Sequence, residues 1–330
     1  GDTVGVFQLE SAGMRRNIIE LKPNSIRELA AMVALYRPGP MEHIPRYMDG
    51  KFGRRPITYL DDRMKPILEE TYGVIVYQDQ VLKLVQALAG FSLGRADILR
   101  RAMGKKSLEE MKSMQAEFKA GCAERNISAE AAGKVWELLL PFAGYAFNKA
   151  HAVCYAMLAY QTAYLKANYP TEYMAALLEV YREKEDRVTS FVEECRRNLI
   201  AVIPPDVNKS GLSFEIETTA PKGWNGAIRF GLAAIKGVGE KLVEGILAAR
   251  QEDGHFSHLY EFCERTRPSG LNRLSLDALI KAGAFDAYGK NRRSLLEVSE
   301  GALTYADQAI RQRQAGQDSL FGEGTADELT

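Results

Sequence analysis

The sequence predicts a mainly α-helical fold: a multi-helical first part, then a small α+β segment, then tandem helix-hairpin-helix elements. Three observations carry this reading. Apolar residues recur at helical spacing through most of the first 200 positions, helix caps recur between those runs, and β-type stretches, apart from a short run at Val74 to Tyr77, gather near residues 196 to 228. The 330 residues carry 43 Lys+Arg against 43 Asp+Glu, and 46 % are apolar. Such a chain can build about two cores and is too apolar to be disordered as a whole.

From Ser25 to Leu35 the residues Ile26, Leu29, Ala30, Val33 and Ala34 share one helical face, and the helix has to stop before Pro38. Arg37-Pro38-Gly39-Pro40 then reads as a stiff turn, and residues 41 to 65, rich in Gly and Pro, read as loop. Val74 to Tyr77 is a β-rich run that changes into a helix with Val81, Leu84, Val85 and Leu88 on one face. Ser107 with Glu110, and Ser128 further on, mark two helix starts, and Pro141 marks a stop or kink. A long apolar and aromatic helix closes at Asn168 to Pro170, and Thr171 is placed to cap the next. After IAVIPPDVNKSGLSFEI and PKGWNGAIRF, two short β-like stretches with turn residues between them, helices resume as GEKLVEGILAAR, SHLYEFCERTR, LSLDALIKAGAF and NRRSLLEVSEGALTYADQAIRQRQ. An acidic, polar tail follows.

Several classes of function are excluded or disfavoured. No run approaches the ~18 apolar residues of a membrane span, and GDTVGVFQLE is no signal peptide, so a soluble protein with no membrane partner is expected. Cys122, Cys154, Cys195 and Cys263 form no CxxC pair and read as reduced core residues of a cytoplasmic protein. His255 and His258 lack a third ligand nearby and read as surface residues. Two-metal phosphoryl transfer needs carboxylates converging from a strand, and the nearest candidates, Asp61, Asp62 and Asp206, read as loop acids. No catalytic residue and no metal ligand is assigned.

Four segments remain that suit a nucleic-acid chemistry. Residues 91 to 106 hold Arg95, Arg100, Arg101, Lys105 and Lys106 against Asp97 alone. Paired guanidinium forks grip phosphate oxygens, though the same residues equally suit a solvated helix face. In GYAFNKAHAVCYA, Tyr145, Phe147, Asn148, Lys149 and His151 open onto a long helix, which fits a nucleotide pocket or an ordinary staple with a core histidine. Lys236, Gly237, Val238, Gly239 and Lys241 form a Gly-Val-Gly turn entering a helix, where a DNA phosphate can dock on backbone N–H groups. A second helix-turn-helix follows with Gly283 at its turn and Arg292 and Arg293 beyond. Gln317, Leu320 and Phe321 of QDSLF have the form of a short linear anchor, or of an accidental match.

Taken together, GVFQLESAGM (5 to 14), LYRPGPM (35 to 41), TYGVIVYQDQV (71 to 81), ADILRRAMGKK (96 to 106), FAGYAFNKAHAVCYAMLAYQTAYLKANYP (142 to 170), LIAVIPPDVNKS (199 to 210), FGLAAIKGVGE (230 to 240), LIKAGAFD (279 to 286) and QDSLF (317 to 321) resemble the C family of bacterial replicative DNA polymerases, the polymerase III alpha subunits. The resemblance runs over nearly the whole chain in the same order and spacing. It implies a helical fingers domain over 1–200, a tandem helix-hairpin-helix DNA-binding and clamp-binding region over 201–310, and a flexible tail with a clamp motif over 311–330. It further implies that Arg100 and Arg101 contact the triphosphate of an incoming dNTP and that Tyr145 and His151 line its pocket, with Asn148 and Lys149 beside them. Arg37 and Gln8 would lie towards the palm or DNA side, and Gln317, Leu320 and Phe321 would anchor the sliding clamp (beta subunit), with Asp318 departing from the commonest form of that motif. The family's catalytic aspartates and their Mg²⁺ would belong to segments before Gly1, so the chain is expected to be an inactive fragment of its parent. Primer–template DNA, dNTPs, the clamp, the remaining polymerase domains and other holoenzyme subunits are the implied partners. A non-catalytic DNA-binding and clamp-docking scaffold is the alternative.

Overall fold

A computed structural model describes residues 1–105 and 108–314, and the side chains among them except those of 103–105, 108–110 and 141–145. The described chain is mainly helical, and it divides into two compact units, Gly1–Tyr164 and Leu165–Thr330. That division falls inside a helix, ahead of the composition change near residue 200.

Unit 1 begins with a turn-rich segment and α1 (Ala12–Leu21), α2 (Ile26–Leu35) and α3 (Ile44–Lys51). Ser11 and Ser25 cap the first two helices with their hydroxyls. α3 corrects the expectation of a loop over 41–65: a proline sits in its first turn, where a missing N–H is harmless, and Ile44, Tyr47 and Met48 are buried. There follow α4 (Lys65–Leu68), α5 (Gln78–Ala89), α6 (Leu93–Lys105), α7 (Leu108–Glu124), α8 (Ala129–Tyr145) and α9 (Lys149–Asn168). Ser128 caps α8 as expected, its hydroxyl 3.2 Å from the Ala131 nitrogen, whereas the cap assigned to Ser107 lies outside the described residues. α8 does not stop at Pro141 but runs one more turn, anchored upstream by the buried Val135, Trp136 and Leu139. Two apolar cores result. One joins α4 to α8 around Leu84, Leu99, Phe118 and Trp136, and the other joins the N-terminal turns, α1 to α3 and α9 around Leu21, Met32, Tyr47 and Ala156.

Unit 2 contains α10 (Pro170–Val180) and α11 (Glu185–Arg197), then β1 (Ile200–Ile203), β2 (Glu215–Ile216) and β3 (Gly226–Arg229). The strand order is β1-β3-β2, with β1 parallel and β2 antiparallel to β3. Thr171 is not the cap of α10, because Pro170 already occupies the first helical turn behind Tyr169. α12 (Glu240–Asp253), α13 (Leu259–Thr266), α14 (Arg273–Ala282) and α15 (Arg292–Gln314) close the unit around Leu242, Ile246, Phe262, Leu279 and Phe285. No described helix is long and apolar enough to cross a membrane.

The four thiols are free. Burial pushes Cys122 up to about 11 and Cys195 and Cys263 up to about 12, as core residues require. Cys154 departs from that expectation and is exposed on α9. His258 is a cap: its Nδ1 accepts the Glu261 N–H at 3.2 Å. The loop acids behave as expected, Asp61 binding Arg63 at 2.7 Å and Asp206 closing its own turn on the Asn208 N–H at 2.8 Å.

Candidate functional site

In unit 1 the run Val74–Tyr77 is extended and buried, but it joins no sheet among the described residues. Its one bridge is to Phe147: the Phe147 N–H donates to the Val76 carbonyl at 3.1 Å, and the Gln78 N–H donates to the Phe147 carbonyl at 2.9 Å. This bridge fixes Phe147 at the entrance of α9. Asn148 caps that helix, its side-chain oxygen accepting the His151 N–H at 3.0 Å. Phe147, His151 and Tyr155 then fall on one helical face at i, i+4 and i+8. Their rings form a ladder, 5.3 Å between Phe147 and His151 and 4.1 Å between His151 and Tyr155, which Phe7 extends at 5.2 Å from Tyr155. From the turn after α2, the Arg37 guanidinium lies 4.2 Å from the Phe147 ring centre. Arg37 Nε also donates to the Ala34 carbonyl at 3.0 Å, and burial depresses its pKa.

Phe147, His151 and Tyr155 line a cleft of about 450 Å³ together with Gln8, Ser11 and Arg37. Of the six residues expected to bind the nucleotide, His151 lines this cleft, whereas Arg100, Arg101, Asn148 and Lys149 do not. Asn148 is engaged as a cap, and Lys149 binds Glu70 at 2.7 and 2.8 Å beside the Tyr77 ring. Tyr145 ends α8, and its side chain lies outside those described. Arg100 and Arg101, on α6, both hold Asp97, at 2.8 and 2.5 Å. Hydrogen bonds from Arg100 and then Arg101 keep the Asp97 carboxyl below the usual aspartate range. Tyr155 was missed from sequence, although its spacing from His151 and Phe147 announces the shared face.

In unit 2 a short 3-10 turn at Leu232–Ala234 leads into the Gly-Val-Gly turn. Gly237 needs to be glycine, with φ +92°. Val238 is buried in the core, and its N–H donates to the Ile235 carbonyl at 3.0 Å, so among the turn residues it is a peg rather than a contact surface. Lys236, Gly237, Gly239 and Lys241 are exposed. Gly239 precedes α12 with φ −81° and gives no side-chain cap, and a Cβ built on it would meet nothing within 4 Å. The fold therefore leaves the first-turn N–H groups of α12 uncovered by side chains and makes no steric demand for glycine there. Glu240, the acid in that first turn, is drawn into an ion pair with Arg182.

The second hairpin turn is secured by Arg292. This side chain grips Asp286 at 2.8 and 2.5 Å, holding that carboxyl below its usual range, and donates to the Lys281 carbonyl at 2.9 Å near the end of α14. Gly283, with φ +89°, closes α14 beneath it. Arg293 is 87 % exposed and reaches Glu297 at 3.1 Å. Gln317, Leu320 and Phe321 lie outside the described residues. Among the described residues no three His, Cys, Asp or Glu side chains converge to hold a metal ion.

A family model described as the bacterial DNA polymerase III alpha subunit finger domain matches residues 1–126, and one for a helix-hairpin-helix motif matches residues 199–295. Curated proteins named DNA polymerase III subunit alpha align over almost the whole chain. That of Caulobacter vibrioides is 45 % identical over 98 % of the chain, that of Thermus aquaticus 44 % over 98 %, and that of Escherichia coli strain K12 42 % over 97 %. The chain spans 28 %, 26 % and 28 % of those relatives, just over a quarter of their length. Its finger-domain match, its helix-hairpin-helix match and this end-to-end similarity agree, and the chain belongs to the family of bacterial DNA polymerase III alpha subunits.

Proposed function

We propose that the chain supplies nucleotide-facing and DNA-facing surfaces of a replicative DNA-directed DNA polymerase, a cytoplasmic nucleotidyltransferase whose catalytic palm is carried elsewhere in the parent protein. The observation that carries the DNA half is Gly239: a glycine the fold does not need, standing at an uncapped helix start in the segment matched by the helix-hairpin-helix model. A bare helix N-terminus offers N–H donors and a positive dipole end to a phosphate, and only a missing side chain lets the phosphate come close. Lys236 and Lys241 flank that point, with Arg293 on the second hairpin, while Arg292 keeps its turn in shape.

The nucleotide half rests on the ring ladder and the α6 cations. A base stacks on Phe147, His151 and Tyr155, and Arg100 and Arg101 exchange Asp97 for triphosphate oxygens. In the parent's reaction a primer 3′ hydroxyl attacks the α-phosphate and pyrophosphate leaves, and these guanidinium groups neutralise the charge that moves onto the leaving group. The Mg²⁺ of that reaction would be held by carboxylates in the parent's other segments. Sliding-clamp docking through Gln317, Leu320 and Phe321 completes the proposal, and the remaining polymerase domains and holoenzyme subunits would be further partners.

Titration of the chain with primer–template DNA at rising salt tests the DNA half. Affinity is expected to fall steeply as salt rises, since phosphate contacts release counterions. Binding that is absent at low salt would overturn the reading and favour a scaffold held by the clamp alone.

A further inference from the structure

We propose that Gln8 holds the base of a nucleotide seated in the unit 1 cleft, its side-chain amide donating to an acceptor on that base; the proposal rests on the nucleotide reading above. Five described residues other than glycine have positive φ: Gln8, Lys22, Tyr72, Asn126 and Leu199. Four of them end helices. Lys22 follows α1, Tyr72 follows the 3-10 turn Glu69–Thr71, and Asn126 and Leu199 each lie two residues beyond the last residue of α7 and α11. A left-handed residue at such a place satisfies the last carbonyls of the helix. Gln8, with φ +62°, ends no helix.

Its neighbours impose that conformation. Val6 and Leu9 are buried on either side. The Thr3 hydroxyl donates to the Leu9 carbonyl at 2.7 Å, the Gly5 N–H to Glu10 Oε1 at 2.7 Å, and the Phe7 N–H to the Thr162 hydroxyl at 3.1 Å. Glycine would relieve the strain, so a side chain retained there serves something other than the backbone. The Gln8 side chain is exposed, lines the cleft with His151, Tyr155 and Arg37, and has no hydrogen-bond partner among the described residues. The ring ladder supplies a stacking wall, and the amide supplies a donor at the same cleft. A polymerase accepts four bases, so a fixed donor has to address a feature that all of them share. Each base carries a ring-nitrogen or carbonyl acceptor on its minor-groove edge, which meets that condition.

The test compares the 330-residue chain with its Gln8→Gly form. Each is titrated with the four deoxynucleoside triphosphates and with inorganic tripolyphosphate, and thermal unfolding is followed alongside. Gln8→Gly is expected to melt at or above the temperature of the unchanged chain. It should bind all four nucleotides about tenfold more weakly, the worth of one hydrogen bond, and tripolyphosphate as before. Equal nucleotide affinity in the two forms, an equal loss for tripolyphosphate, or a lower melting temperature would each overturn the role of Gln8 and leave the nucleotide reading standing. Failure of the unchanged chain to bind any of the four nucleotides would overturn both.

Discussion

Lys51→Met is expected to destabilise unit 1 by about 3 to 5 kcal/mol, because it strips the partner from a buried carboxylate. Lys51 and Glu28 expose only 8 % and 4 % of their side chains and meet at 2.8 Å. The ammonium also donates to the Leu21 and Lys22 carbonyls at 2.8 and 2.9 Å, closing the end of α1. Glu28 in turn accepts the Asn24 N–H at 2.8 Å and the Tyr72 hydroxyl at 2.7 Å. One ion pair thus ties α1, α2, α3 and the turn at Tyr72. Urea unfolding of the variant measures the loss, and a change below about 1 kcal/mol would mean that the pair contributes no more than a surface bridge.

The same pair sets an acid limit. Burial by itself would raise the Glu28 carboxyl, but the hydrogen bonds from Lys51, Asn24 and Tyr72 outweigh it and hold the group below its ordinary value of 4.5. A depressed folded value means that the unfolded chain binds protons first. The stabilisation is therefore present above about pH 4.5 and is lost as pH falls through the lower, folded value. In Lys51→Met this acid dependence should shrink.

Phe262→Ala is expected to cost unit 2 about 3 to 5 kcal/mol, the usual loss for a buried aromatic. Phe262 is fully buried, with Phe256 and Phe285 set edge-on at 5.0 and 4.9 Å. Phe285 sits just after Gly283 in the second hairpin turn, and the Phe256 carbonyl accepts the Tyr288 hydroxyl at 3.0 Å. Truncation would loosen that turn along with the core. Denaturant unfolding gives the energy, and a loss under about 1 kcal/mol would show that the cluster can collapse into the space.

Much of the helical order is legible because its signals are local. Ser25, the 3.6-residue rhythm after it and Pro38 beyond it suffice to bound α2. α3 was hidden by the proline and glycine it contains, which report on turns only when read without the tertiary burial of Tyr47 and Met48. Val74–Tyr77 reads as a strand because it is extended and apolar, yet among the described residues its only bridge is to a residue seventy positions on. The cleft was partly legible: His151 stood out, and Phe147 and Tyr155 share its helical spacing. Lys149 illustrates the limit. Its charge suits a phosphate, but Glu70 binds it from a part of the chain that no spacing rule connects to it. The left-handed backbone of Gln8 is likewise invisible in sequence, since glutamine gives no hint of positive φ.

The most direct measurement of the central claim, that this chain meets DNA backbone at the start of α12, is the affinity of Gly239→Val for primer–template DNA. A Cβ at this position meets nothing within 4 Å and the backbone there is extended, so the melting temperature should hold. The valine would keep a phosphate away from the helix N–H groups, and affinity at low salt should fall by about tenfold, the equivalent of about 1.4 kcal/mol. Unchanged DNA affinity in a fully folded Gly239→Val chain would contradict the account.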